Sequence, residues 1–209
     1  MSLPDRDSVP MEHTPTAVRI GLWRLTRHDR VRRLYERLSE AGLFLAQLDR
    51  FQRGAAGADD LPGPPDGVRL AVFPAMEWVP ERLEAAPLAP DDRIVVARHG
   101  GRPVGWCCLS DRPVYVPELR RRLTFDAAYL WRLYVRPADR GAGIGTALVA
   151  RAVRAAARDL SSTNIAALVA PDNLPSRKTF DGLGFRPAER FTAAGCFGLE
   201  HRRRRPLDG

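Results

Sequence analysis

Arg140 is followed by Gly141, Gly143 and Gly145, three glycines among five residues, and this run separates an apolar, aromatic stretch from one rich in Ala, Leu and Val. Glycine lets a backbone approach an anion with no Cβ in the way, and it tolerates conformations that aim successive N–H groups at one point. A helix starting at Gly145 adds its positive end and its unpaired amides, and Arg140 adds a formal charge beside the turn. The chemistry implied is the cradling of a phosphate. A dinucleotide site would show Gly-x-Gly-x-x-Gly and a P-loop a Lys-Ser/Thr pair, whereas Gly145 is followed by Thr146 and Ala147. A plain strand-to-helix turn could use the same glycines, so the surrounding elements must decide.

Those elements alternate in type. Val18–Leu25 reads as a strand, a helix follows from about Asp29 and ends at Ala41 and Gly42, and Leu43–Arg53 reads as a second helix. Gly54–Gly67 is too rich in Gly and Pro for regular structure and reads as a mobile loop. Pro80 fits the first turn of a short helix over about 81–86. Arg93–Ser110 is a hairpin, with Gly100 and Gly101 supplying the positive φ of its turn. Then come a strand over Ala128–Val135, a helix over Gly145–Leu160, a strand over Asn164–Ala170 and a short helix over Ser176–Leu183. A pair of strands near Arg186–Phe191 and Cys196–His201 closes the chain. The order βααβββαβαββ is α/β in class, with antiparallel strands early and a parallel crossover late. Residues 1–15 are polar and Pro-rich and read as disordered; 16–205 reads as one domain.

Composition bounds the function. At 209 residues a full core forms without staples, and three cysteines, two of them adjacent, suit neither a disulfide framework nor a metal site. No apolar run approaches the ~18 residues of a membrane span, which points to the cytoplasm. The net charge of +8 is carried by arginine, with Lys178 the one lysine, and favours anionic ligands. The basic run His201–Arg205 reads as a solvated tail; without interleaved aromatics it does not argue for nucleic acid.

Leu133, Val135 and Pro137, followed by Arg140, Gly143 and Gly145, resemble the acetyl-coenzyme A signature of the GCN5-related N-acetyltransferase (GNAT) superfamily, Arg/Gln-x-x-Gly-x-Gly/Ala after an apolar-x-Val-x-Pro strand end. Asn173 and the closing Leu183, Gly184 and Phe185 are similar to the family's second motif. The resemblance implies the GNAT fold, a mixed, mostly antiparallel sheet splayed at its fourth and fifth strands and flanked by helices. It implies acetyl-CoA as acyl donor, no metal, and a primary amine on a small molecule or peptide as acceptor, with a homodimer left open. The cofactor arm would lie along Leu133, Tyr134 and Val135, and the pyrophosphate on Arg140 and the amides of Gly141, Ala142, Gly143, Ile144, Gly145 and Thr146. Asn173 and Phe180 would touch the arm, although Asn173 could equally cap a helix. Gly54–Gly67 falls where acceptor-side loops lie in the family.

The pattern also breaks. Where relatives often carry a Glu base this chain has Trp131, with Arg132 beside it, and where they often carry a Tyr acid it has Phe180. Among substitutes, Tyr129 reads as a core tyrosine, Asp126 and Glu118 as surface carboxylates, and Cys107 and Cys108 as buried thiols. His13, His28, His99 and His201 stand in no catalytic setting. The expected function is N-acetyl transfer; the alternative is a degenerate, regulatory acyl-CoA-binding domain.

Overall fold

The computed structural model describes residues 41–77, 88–196 and 199–207, preceded by helical positions 30, 33, 34, 37 and 38. The strand expected at 18–25 and the helix expected at 81–86 lie outside the described residues. The first helix is consistent at its described positions, and the N–H of Ala41 donates to Arg37 O where Gly42 turns with φ of 86°.

Among the described residues, ten strands and two α-helices follow: β1 (Phe44–Gly54), β2 (Val68–Pro74), β3 (Arg93–His99), β4 (Arg102–Ser110), β5 (Val114–Val116), β6 (Arg121–Leu123), β7 (Ala128–Val135), α1 (Ile144–Asp159), β8 (Asn164–Val169), α2 (Leu174–Gly182), β9 (Arg186–Cys196) and β10 (Leu199–Pro206). Eight strands form one sheet in the order β10-β9-β1-β8-β7-β4-β3-β2, and β5 and β6 form a small hairpin of their own. The β7–β8 pair is parallel and the other pairs are antiparallel. The expected class, a mixed and mostly antiparallel sheet flanked by helices, is what forms.

Both faces of the sheet are buried at its centre. Under α1 and α2 lie Phe51, Val95, Leu109, Leu130, Ile165 and Phe185, packed against Leu148 and Val153 of α1. Alternate residues of the same strands, Ile94, Val96, Cys108, Tyr129 and Trp131, make a second cluster on the opposite face. The β5–β6 hairpin covers that face further along, setting Val116, Leu119 and Leu123 against Phe44, Leu48 and Phe191. Strands buried on both sides lose the apolar–polar alternation that marks a strand in sequence.

β1 corrects the helix expected over 43–53. Phe44, Leu48 and Phe51 fall at helical spacing, yet Phe44 and Leu48 serve one face of a central strand and Phe51 the other. β1 pairs with β8 on one side and β9 on the other, and it carries the footing of α2. Asp49, fully buried, accepts from Arg177 of α2 at 2.7 Å and from Arg190 of β9 at 2.5 and 2.8 Å. The Phe51 ring lies 6.1 Å from that of Phe180, and Arg53 donates to Leu183 O at 2.6 Å.

The first half of the Gly54–Gly67 loop, expected to be mobile, is held by contacts to the core and to α1. Ala55, Ala58 and Leu61 pack against the core beneath α1. Arg154 of α1 donates to the carbonyls of Asp59 and Leu61, and Arg158 pairs with Asp59 at 2.7 Å. The loop therefore lies along the C-terminal half of α1. The basic run 201–205 is not a tail either, since it forms most of edge strand β10.

Candidate functional site

Pairing between β7 and β8 stops early. The register runs Ala128↔Ile165, Tyr129↔Ala166 and Leu130↔Ala167, after which the two strands part. On its other side β7 stays with β4, but Trp131 to Tyr134 takes three steps against two for Cys108 to Trp106. The extra residue is Arg132, exposed and in the left-handed region with φ of 54°. A bulge bends its strand and raises the local twist, which turns the end of β7 away from β8.

The bulge also resets which way side chains point. Leu130, Leu133 and Val135 all face α1, whereas Tyr129, Trp131 and Tyr134 face the opposite side. Sequence counting gave no hint of this, because no glycine marks the bulge. Beyond it, Arg136 N–H donates to Val104 O at 2.8 Å, and Tyr134 stands opposite Trp106 in the β4–β7 register. Backbone groups alternate along a strand, so Leu133 and Val135 aim theirs into the gap. Tyr134, expected along the arm, turns its backbone to β4 and stacks its ring on Trp106 at 4.5 Å.

The glycine run lies directly beyond. Gly141 and Gly143 have φ of 85° and 78°, conformations that L side chains rarely adopt, and Gly143 caps α1 without a side-chain hydrogen bond. Among the described residues the N–H groups of Gly141, Ala142, Gly143, Ile144, Gly145 and Thr146 donate to no protein acceptor. A Cβ built on Gly141 or Gly143 would meet nothing within 4 Å, so the turn opens onto free space rather than onto packed protein. Six unpaired amides at a helix N-terminus, with Arg140 exposed beside them, fit a pyrophosphate. Arg140 bends back to donate from Nε to Val135 O at 3.0 Å, joining the cradle to the gap. Ile144 itself is buried and contributes main chain only.

Asn173 caps α2: its Oδ1 accepts from Ser176 N–H at 3.3 Å, which leaves Nδ2 without a protein acceptor among the described residues. Phe180, expected beside the arm, lies in the core. Only 2% exposed, it packs edge-on to Phe185 at 5.0 Å and against Phe51, so its ring is core with almost no surface left for a ligand. Trp131 is likewise buried, and its indole N–H donates to Ser110 Oγ at 2.9 Å. Both positions where relatives often carry acid and base are thus sealed by aromatic packing.

Among the described residues, the other titratable candidates are either buried or at the surface. Burial, then the charge of Glu118, pushes the Tyr129 hydroxyl well above its usual range. Burial, then Asp92, pushes the Cys108 thiol up to about 12, and burial, then Cys108, raises the Cys107 thiol well above its usual range, which keeps both from the thiolate form. Asp126 and Glu118 are exposed. Among the described residues no group of three His, Cys, Asp or Glu side chains could hold a metal ion. None of the described helices is long and apolar enough to cross a membrane.

A parallel strand pair that parts beside a run of unpaired amides at a helix N-terminus defines the class, an α/β fold with an open cleft in its sheet. The model of the Acetyltransferase (GNAT) family matches residues 68–185, more than half of the chain, and the chain belongs to that family. A GCN5-related N-acetyltransferase from Kribbella flavida has a similar fold, with a TM-score of 0.52 at 18% identity over 78% of this chain and 63% of that one. A tandem GNAT protein from the clavulanic acid biosynthesis pathway is similar at 0.52 and 17%, over 80% of this chain and 59% of the other. A functionally unknown conserved protein from Staphylococcus epidermidis is similar at 0.51 and 13%, over 76% and 64%. This chain thus spans less than two thirds of the length of each. No curated protein matches the sequence.

Proposed function

We infer that this chain is an acyl-CoA-dependent N-acyltransferase, moving an acetyl group from acetyl-CoA to a primary amine of a small molecule or peptide in the cytoplasm. The observation that supports this best is the continuity of the gap with the cradle. β7 leaves β8 after Leu130, and the run of unpaired amides begins at Gly141, linked to the gap by Arg140 on Val135 O. The cofactor, when bound, supplies the acetyl group already activated as a thioester. The main chain of Leu133 and Val135 holds the arm as a strand would, the amides of 141–146 hold the pyrophosphate, and the Asn173 amide donates to the arm. Such positioning can contribute as much as acid–base catalysis, ~10²–10⁴-fold, would. With Trp131 committed to Ser110 and Phe180 in the core, the amine loses its proton to water.

The same two side chains favour a second reading, a regulatory domain that binds acyl-CoA without turning it over. Calorimetric titration with coenzyme A and thiol release across a panel of primary amines separate the two. Amine-dependent thiol release supports the enzyme; binding without release supports the regulatory domain. No binding at all would remove both.

A further inference from the structure

β10 is the outermost strand on its side of the sheet, and among the described residues nothing pairs with its outer edge. Its backbone polarity follows from one bond: Leu207 N–H donates to Ala188 O at 2.8 Å, inward to β9. The β9–β10 register has no shift, so Glu200, Arg202 and Arg204 aim their N–H and C=O groups outward. Pro206 falls on the same outward set, where its missing N–H breaks no ladder bond.

The side chains of this edge are cationic on both faces. Arg202 and Arg204 stand over Ala193 and Phe191 and, with Arg121, rim a groove of about 110 Å³ floored by Leu119 and Phe191. Water occupies ~30 Å³ in the liquid, so the groove has room for one side chain and not for a nucleotide. Each of the two is partly neutralised, Arg202 by Glu200 and Arg204 by Glu189. On the other face Arg203 and Arg205 meet no carboxylate among the described residues, and Arg205 stands opposite Arg190, whose charge Asp49 already answers. A second copy of β10 paired here over the whole strand would set arginines against arginines.

We propose that the outer edge of β10 binds an acidic, extended peptide segment of another protein as an added strand, with one side chain seated in the groove between β10 and the β5–β6 hairpin. Main-chain bonds to the outward groups of residues 200–206 give the pairing, and carboxylates on alternate positions, which share one face of the added strand, meet Arg202 and Arg204 at the rim of the groove. This does not depend on the acyl-transfer reading.

The test uses the full chain and a labelled peptide of about seven residues alternating Glu and Val, long enough to span the strand. Fluorescence anisotropy should show it binding at least tenfold more tightly than the Lys-Val analogue. Amide exchange of the unmodified protein should slow at Arg202 and Arg204, the outward donors, on peptide binding. Arg202→Glu with Arg204→Glu should weaken binding at least tenfold, with circular dichroism reporting whether the sheet survives. Three results would each overturn the proposal. They are equal binding of a Glu-Val peptide N-methylated at alternate amides, tighter binding of a single-stranded oligonucleotide than of the peptide, and unchanged exchange at Arg202 and Arg204 under saturating peptide.

Discussion

Gly143 and Gly145 look interchangeable in the sequence, but the backbone separates them. Gly143 sits at φ of 78°, where a Cβ costs ~1–2 kcal/mol whatever the space around it. Gly145 is inside α1, and a Cβ there would stand an ordinary 3.7 Å from Val135 Cγ2. Gly145→Ala should therefore keep the fold and coenzyme A binding, while Gly143→Ala should lose stability by that amount and weaken binding at least tenfold. Thermal melts and calorimetry on the two proteins decide it; equal affinities would show that the αL turn does not shape the cradle. Phe180 carries the opposite lesson. A Tyr at this position would restore the acid that relatives often carry, but the ring is buried among Phe51 and Phe185. Phe180→Tyr should cost about 1–3 kcal/mol in the ligand-free protein, the penalty of an unsatisfied buried hydroxyl. An unchanged melting temperature would mean that the hydroxyl reaches the gap and that the acid could be regained.

At the scale of elements, what was legible followed from local chemistry. The Gly100–Gly101 hairpin, β7, α1, β8 and α2 all stood close to where turn residues and periodicity put them, as did the glycine turn that opens α1. β1 did not, because the partners that make it a strand are remote: Arg177, which meets its Asp49, lies 128 residues away. Interleaved Gln47, Asp49, Arg50 and Gln52 gave β1 the polar spacing of an amphipathic helix, although Asp49 is fully buried. The bulge at Arg132 was equally silent, since a left-handed arginine has no sequence mark. Asp49 gives the test of this element. Asp49→Asn keeps the shape but leaves two guanidiniums short of their counter-charge. Breaking a buried pair costs ~3–5 kcal/mol, and the partial exposure of Arg177 and Arg190 lowers the expectation to about 2–4 kcal/mol. Urea unfolding measures it, and a loss below about 1 kcal/mol would show that the Phe51–Phe180 contact and Arg53 hold α2 without the ion pairs.

Across the whole molecule, the boundary drawn by the family match and the boundary drawn by the sheet disagree. The match begins at Val68, yet β1 ends at Gly54 and is the shared neighbour of β8 and β9. Removing it would cut the sheet into a β9–β10 ribbon and a separate β2–β8 half, and a two-stranded ribbon alone is marginal in water. It would also strip Phe44, Leu48 and Phe51 from the two cores, each contributing ~1.5–3 kcal/mol of burial, against a total stability of ~5–15 kcal/mol for a domain. A fragment of residues 68–209 should therefore fail to fold cooperatively, and one of residues 41–209 should succeed. Amide dispersion in NMR spectra and a calorimetric melt report on both. If the shorter fragment melts in one sharp transition and still binds coenzyme A, β1 is an accessory to a self-sufficient half, and the tether from Asp49 to α2 has no part in holding the cradle's neighbour in place.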